Sequence, residues 1–231
     1  MFKTPFSFLL VGPSMCGKTT FTKNFIDQLD HLADEKMKFI YYCCPNKNYA
    51  PKVFVENNKI NVVEGLPNVS ELENSSLIIL DDFMLNLGKE ISEIFTVSCH
   101  HKNISVILTI QNLFHRGCPW LRDISLNAQQ IVLFKTLRDN QQIECFLRQV
   151  YPLDYKHLLK VYKDVTSKPY SYLIFDFGQK CNDLLRIRTN IFNNGKYFEC
   201  YCTESTITQN TFKEENPDSE KSMLSCFTFQ S

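Results

Sequence analysis

The residues whose types and spacing most clearly indicate chemistry lie near the N-terminus. They fit the phosphate-binding pattern G-x-x-x-x-G-K-[ST] at every fixed position and read Gly12, Pro13, Ser14, Met15, Cys16, Gly17, Lys18 and Thr19. The two glycines let the backbone turn tightly, so that successive N–H groups can point at phosphate oxygens. A helix beginning near Lys18 presents its positive end to the same anion. The pattern therefore predicts a nucleotide-binding loop.

Each part of this loop has an expected role. Lys18 would reach the β- and γ-phosphates of ATP, the hydroxyl of Thr19 would coordinate Mg²⁺, and the binding segment would extend to Thr20. The apolar run Phe6–Val11 before the loop reads as a strand buried on both faces, and the segment after it reads as an amphipathic helix. The alternative is a glycine turn followed by an exposed lysine.

Two adjacent carboxylates follow a second apolar strand. Leu77–Leu80 leads directly into Asp81 and Asp82. In a parallel sheet the carboxyl ends of the strands line the ligand crevice, where the phosphate loop also lies. We predict that Asp81 holds Mg²⁺, directly or through water, and that Asp82 is the general base for the attacking water. The alternative is a solvated turn with a helix cap.

An amide pair ends a further apolar strand. Ile104–Ile110 is followed by Gln111 and Asn112. A neutral amide at this place can sense the γ-phosphate and orient water, which we predict for Gln111. A simple strand-ending turn is the alternative.

Four arginines lie between residues 116 and 148, after this strand, and one of them is a candidate to contact the γ-phosphate of a neighbouring subunit. We favour Arg122 and Arg138, because both are expected in loops flanking the strand Ile131–Phe134. Arg148 is expected on the solvated face of an amphipathic helix, and Arg116 is the fourth. For each of them an ordinary surface or salt-bridge role stays open.

A second metal site is weakly indicated by His115 and Cys118, together with Cys99, His100 and His101. A structural zinc site needs four ligands, and no second well-spaced pair completes such a set. We therefore do not expect zinc. The ten cysteines read as reduced thiols, and no signal-peptide pattern or membrane-spanning apolar run is present. These features predict an intracellular protein.

The elements that position these residues alternate between strand and helix. Further strands are expected at Lys38–Cys44, at Ile60–Val63 and near the C-terminus, where Tyr170–Phe177 and Leu184–Ile191 could form an antiparallel edge. Alternating units with continuously apolar strands predict the α/β class. The expected fold is a P-loop NTPase, with a mostly parallel central sheet flanked by helices.

Helices are expected at Lys18–Leu32, around Ile91 and around Ile143, the last with a capping box formed by Asp139 and Gln142. We place a P-loop ATPase domain at residues 1–192. A C-terminal extension follows at 193–231, and its composition predicts disorder from about residue 204.

Charge limits how the chain can contact nucleic acid. It has 25 basic and 25 acidic residues, so its formal net charge is zero. A protein that coats nucleic acid non-specifically carries a basic excess. Any contact with nucleic acid is therefore expected to be local.

Several segments together resemble the genome-packaging ATPases of Polinton/Maverick elements and adintovirus-like viruses, which are similar to the poxvirus packaging ATPase within the FtsK–HerA superfamily. The resemblance covers roughly residues 5–175. The segments that carry it are Gly12–Thr19, Leu77–Asp82, His100–Ile107, Gln111–Phe114, Ile124–Ala128, Val132–Lys135 and the pair Arg138 and Asp139.

The resemblance implies a ring-forming homo-oligomeric motor that pumps double-stranded DNA into a capsid. It implies ATP and Mg²⁺ as cofactors, a capsid or portal protein as partner, and a location in the host cytoplasm or nucleus or with the virion. Asp82 stands where many relatives have Glu, which shortens the base by one methylene. Two other functions stay open: a P-loop kinase acting on a small molecule, and a non-motor ATP-binding assembly switch.

Overall fold

The computed structural model describes residues 1–84, 87–95, 102–114, 118–192 and 198–203. Within these residues one sheet contains nine strands: β1 (Ser7–Val11), β2 (Phe39–Cys44), β3 (Ile60–Glu64), β4 (Ser76–Leu80), β5 (Ser105–Ile110), β6 (Gln130–Phe134), β7 (Tyr172–Asp176), β8 (Ile187–Thr189) and β9 (Glu199–Tyr201). The described α-helices are α1 (Lys18–Asp27), α2 (Leu29–Leu32), α3 (Lys52–Val55), α4 (Lys89–Glu93), α5 (Pro119–Asn127), α6 (Asn140–Val150) and α7 (Tyr155–Val165).

The strands are ordered β3-β2-β4-β5-β1-β6-β7-β8-β9. β1 to β6 run parallel, and β7, β8 and β9 are each antiparallel to the strand before them. The prediction of a mostly parallel sheet with a short antiparallel edge is confirmed. β9 lies beyond residue 192, where we placed the end of the ATPase domain, and it pairs with β8.

Helices cover both faces of the sheet because the strands are apolar on both faces. Phe8 and Leu10 point into one core cluster, which α1, α2 and α3 complete, whereas Leu9 and Val11 point into a second cluster with α4 to α7. The result is a three-layer arrangement of helices, sheet and helices. No helix in the described parts of the chain is long and apolar enough to cross a bilayer.

Two predicted helices differ in detail from the observed ones. The helix expected over Lys18–Leu32 is interrupted at Gln28, whose φ of −111° lies outside helical geometry. Asp139 does cap α6, because its side chain accepts a 3.1 Å hydrogen bond from the Gln142 N–H. The return half of the capping box is absent: the amide oxygen of Gln142 instead accepts from the N–H of Leu113 at 2.9 Å.

A buried ion pair lies at the amino end of the parallel strands. Asp176, at the end of the antiparallel strand β7, is opposite Gln130, the first residue of β6. Its carboxylate accepts from Arg188 at 2.5 Å, from the Gln130 amide at 3.0 Å and from the Gly178 N–H at 3.0 Å. Arg188 also lies 4.3 Å from the centre of the Phe2 ring. Both charged side chains are almost fully excluded from solvent.

Candidate nucleotide-binding and hydrolysis site

The loops predicted to bind nucleotide all leave the same end of the sheet. β4, β5 and β1 are parallel neighbours, with Leu80 level with Leu108 and Val11 level with Ile110. Adjacent strands lie about 4.8 Å apart, so the loop after β1 and the acidic pair after β4 are separated by about 10 Å. This spacing suits a metal-bound triphosphate.

The loop at residues 12–19 has a backbone that needs glycine at both fixed positions. A Cβ on Gly12 would lie 2.6 Å from the Cys16 sulfur and 2.8 Å from Cβ of Phe134, which is too close for any side chain. Gly17 has φ of 110°, a left-handed conformation that L-residues with side chains rarely adopt. The N–H of Gly12 donates to the carbonyl oxygen of Ile110 at 3.1 Å, which fixes the loop to β5.

The Lys18 ammonium is held by the loop itself. It donates to the carbonyl oxygens of Gly12 at 2.6 Å and Pro13 at 2.9 Å. An ammonium has three donors, and the third makes only a long 3.9 Å contact with the Cys16 sulfur, so this donor can turn to a phosphate oxygen. α1 begins at Lys18, and its first N–H groups have no partner within the helix. Thr19 and Thr20, in this first turn, are exposed.

Asp81 is positioned by two hydroxyl groups that the sequence did not single out. The Tyr42 hydroxyl donates to one carboxylate oxygen, and the Thr109 hydroxyl donates to the other. Tyr42 comes from β2 and Thr109 from β5, the two neighbours of β4. Burial first, and then the charge of Asp81, raise the pKa of the Tyr42 hydroxyl, so it stays a donor across the physiological range.

Asp82 has an unusual backbone and an exposed side chain. Its φ is 60°, which is rare for a residue with a side chain but more tolerable for Asp than for most. Its N–H donates to the Thr109 hydroxyl at 3.3 Å, so Thr109 contacts both members of the acidic pair. Strained backbone of this kind is concentrated at functional sites.

Gln111 is exposed at the carboxyl end of β5, between the phosphate loop and the acidic pair. The chain after it is fixed by Gln142, a buried residue of α6, through the hydrogen bond to the Leu113 N–H. Sequence reasoning assigned Gln142 only to a helix cap and missed this contact.

The arginines are placed differently from one another. Arg138 is exposed in the loop between β6 and α6, as predicted. The predicted loop position of Arg122 was wrong, because Pro119 begins α5 and Arg122 lies within that helix, exposed. Arg148 is exposed on α6 and pairs with Glu144 at 2.6 Å. Arg116 lies outside the described residues.

The donor set fits Mg²⁺ better than zinc. No group of three or more His, Cys, Asp or Glu among the described residues could hold a metal ion. Magnesium needs no such group, because it is bound by one or two protein ligands together with phosphates and waters. The Asp81 carboxylate has about four acceptor positions, so two hydrogen bonds leave room for a metal-bound water. His115 and Cys99–His101 lie outside the described residues.

A phosphate loop between the first strand and its helix, on a mostly parallel sheet, defines the P-loop NTPase fold. No family model matches the sequence, and no curated protein matches it. The chain is similar in structure to the genome packaging NTPase B204 from Sulfolobus turreted icosahedral virus 2, solved in complex with ATP-gammaS. The TM-score is 0.52 at 19% sequence identity, over 80% of this chain and 95% of that one.

Proposed function

We propose that this protein is an ATP-hydrolysing motor that moves double-stranded viral or transposon DNA into a capsid. The observation that carries the proposal is the common position of the phosphate loop and Asp81–Asp82 at the carboxyl end of β1 and β4. The fold shared with a genome packaging NTPase supports the packaging role. The sequence resemblance described above favours the Polinton and adintovirus lineage.

In this proposal the loop amides and Lys18 bind the β- and γ-phosphates, while Thr19 and Asp81 hold Mg²⁺. When bound, the metal neutralises charge on the β- and γ-phosphates. Asp82 takes a proton from the attacking water, and Gln111 orients that water. Arg122 or Arg138 of a neighbouring subunit would stabilise the transition-state charge.

Assembly and location follow from the same proposal. The chain would act as a homo-oligomeric ring around DNA, docked on a capsid or portal protein inside the host cell or on the virion. With a formal net charge of zero, its contacts with DNA would be confined to loops lining the ring.

The test is ATP turnover measured with and without duplex DNA over a range of protein concentrations. A motor should show turnover that rises several-fold with duplex DNA and depends steeply on protein concentration. Lys18→Ala should abolish nucleotide binding or turnover. Turnover that responds to a small acceptor and ignores DNA would indicate a kinase, and tight ATP binding with negligible turnover would indicate an assembly switch.

Asp82→Asn tests the role of the general base. We expect ATP affinity to be retained and turnover to fall by about 10²- to 10⁴-fold, the range that positioned acid–base groups contribute. Asp30→Asn, which changes an exposed aspartate of α2, is the matched control and should turn over normally. Normal turnover in the Asp82 variant would remove this residue from the mechanism.

A further inference from the structure

The strand order divides the nucleotide site into two flanks on either side of β1. On one flank lie β5 and β4 with Gln111, Asp81 and Asp82. On the other flank lie β6 and β7, with the loops that join them to α6 and α7. Within one subunit, the groups proposed to act on the attacking water, Asp82 and Gln111, and the proposed metal ligand Asp81 are all on the first flank. A nucleotide whose terminal phosphate faces them must direct its nucleoside away from them, toward the second flank.

An exposed aromatic ring stands on this second flank, in contact with the phosphate loop. Tyr170 lies in the turn before β7, and its Cβ and Cδ1 atoms are 3.3 Å from the place where a Gly17 side chain would begin. The ring thus packs beside the start of α1, next to the last glycine of the loop. Despite this contact Tyr170 is 66% exposed. Its φ of 63° is a rare conformation for an aromatic residue.

Hydrogen bonds hold the second flank in place. The Lys135 ammonium donates to the carbonyl oxygen of Ser167 at 2.9 Å, which joins the loop after β6 to the turn that carries Tyr170. The Tyr162 hydroxyl donates to the carbonyl oxygen of Phe134 at 2.8 Å and accepts from the N–H of Thr136 at 3.1 Å. The same Phe134 packs against Gly12. These hydrogen bonds and the contact between Phe134 and Gly12 together fix the position of Tyr170 relative to the phosphate loop.

We infer that Tyr170 is the stacking surface for the nucleobase of the bound nucleoside triphosphate. This inference rests on the proposed nucleotide site. An exposed ring face beside a phosphate loop can stack on any base, because every base presents a π-face. Recognition through Tyr170 would accordingly add affinity without choosing strongly between adenine and guanine.

The experiment compares two probes, ATP and inorganic tripolyphosphate, each with Mg²⁺, by calorimetry on the full chain. Base–aromatic stacking is worth about 1–3 kcal/mol per base, which corresponds to roughly 5- to 140-fold in affinity. We expect Tyr170→Ala to weaken ATP binding within that range while tripolyphosphate binding stays unchanged. Tyr170→Phe keeps the ring and should bind ATP as the wild type does. GTP should lose affinity in parallel with ATP.

Tyr49→Ala is the matched control. Tyr49 is also an exposed tyrosine, at 84%, but it follows β2 on the flank of the acidic pair, so its loss should leave ATP affinity unchanged. Unchanged ATP affinity in Tyr170→Ala would overturn the inference, as would an equal loss of ATP and tripolyphosphate. The proposed nucleotide site would fail in a different way, because the wild type itself would then bind neither probe.

Discussion

Two aspartates at opposite ends of the parallel strands are held in different ways. Asp176, at the amino end, is buried and pairs with the guanidinium of Arg188. Asp81, at the carboxyl end, is half-buried and is held by two neutral hydroxyls, and it forms no ion pair with any Lys or Arg in the described residues. A buried carboxylate without a cation strongly destabilises a folded protein, and Arg188 supplies that cation for Asp176. In the proposed function, the Asp81 carboxylate pairs instead with a metal ion that arrives with the nucleotide.

The comparison can be tested most directly by removing the charge of Asp81. Asp81→Asn preserves the shape of the side chain and removes its charge. We expect turnover to fall by roughly 10²- to 10⁴-fold, since metal ions supply several kcal/mol of transition-state stabilisation. The free energy of unfolding should change by less than about 1 kcal/mol, because no cation is left unpaired. If the Asp81→Asn variant unfolds easily but turns over ATP normally, Asp81 stabilises the fold and does not act in turnover.

The matching change at the other end is Arg188→Met, which leaves the Asp176 carboxylate buried and unpaired. We expect the free energy of unfolding to fall by about 3–5 kcal/mol in urea denaturation, the cost of breaking a buried pair. Turnover by the folded fraction should stay near the wild-type value. Lys23→Met breaks the exposed pair with Asp27 and is the control, with an expected change below about 1 kcal/mol. A cost as small as the control's would mean that the Asp176 pair contributes little.

The two hydroxyls on Asp81 sharpen the comparison further. Tyr42→Phe removes one hydrogen bond to Asp81, and Thr109→Val removes the other together with the bond from the Asp82 N–H. Both changes keep most of the side-chain volume. We expect the Mg²⁺ concentration for half-maximal turnover to rise about 10- to 100-fold, as for other groups that orient metal ligands. If the two hydroxyls only stabilise the fold, these variants should lose stability while the Mg²⁺ concentration for half-maximal turnover stays unchanged.

The matched controls are Thr189→Val and Tyr172→Phe. They remove buried hydroxyl hydrogen bonds, to the Tyr172 carbonyl at 2.6 Å and from the Ile191 N–H at 3.2 Å, in the antiparallel part of the sheet. Each should cost stability without altering the Mg²⁺ requirement. If the controls change that requirement as much as the site variants do, the hydroxyls do not act through Asp81.

The smallest expected effect concerns Gln142, which contacts the chain that carries Gln111. Gln142→Leu leaves the buried Leu113 N–H without its acceptor, which should lower the free energy of unfolding by about 1–3 kcal/mol. If the contact also positions Gln111, turnover should fall further while ATP affinity is retained. Gln141→Leu changes the exposed neighbour on the same helix and should alter neither quantity.

The local parts of this structure could be predicted from the sequence. The strand expected at Leu77–Leu80 is observed as β4 at Ser76–Leu80, and the strand expected at Ile104–Ile110 as β5 at Ser105–Ile110. Continuous apolar runs identify buried parallel strands because both faces are covered. The turn between β1 and α1 was equally predictable, since its glycines and Lys18 lie within a few residues of each other.

The contacts that could not be predicted join residues far apart in the sequence. Tyr42 and Thr109 meet Asp81 only because β2, β4 and β5 are neighbours in a particular register. The register between neighbouring strands cannot be predicted from the residue pattern of any one segment. β9 was missed because a strand of only three residues, one exposed and two half-buried, has almost no periodicity of its own. Thr109 could have been suspected, as a polar residue near the end of an otherwise apolar strand.

The carbonyl oxygens that hold Lys18 have a consequence for the thermodynamics of ligand capture. A free lysine side chain loses up to about 2 kcal/mol of rotamer entropy when it is fixed. Here the two oxygens of Gly12 and Pro13 have already fixed the ammonium during folding. In the proposed nucleotide site, an arriving phosphate would therefore meet a charge that is already oriented, and more of the attraction between them would be expressed as affinity.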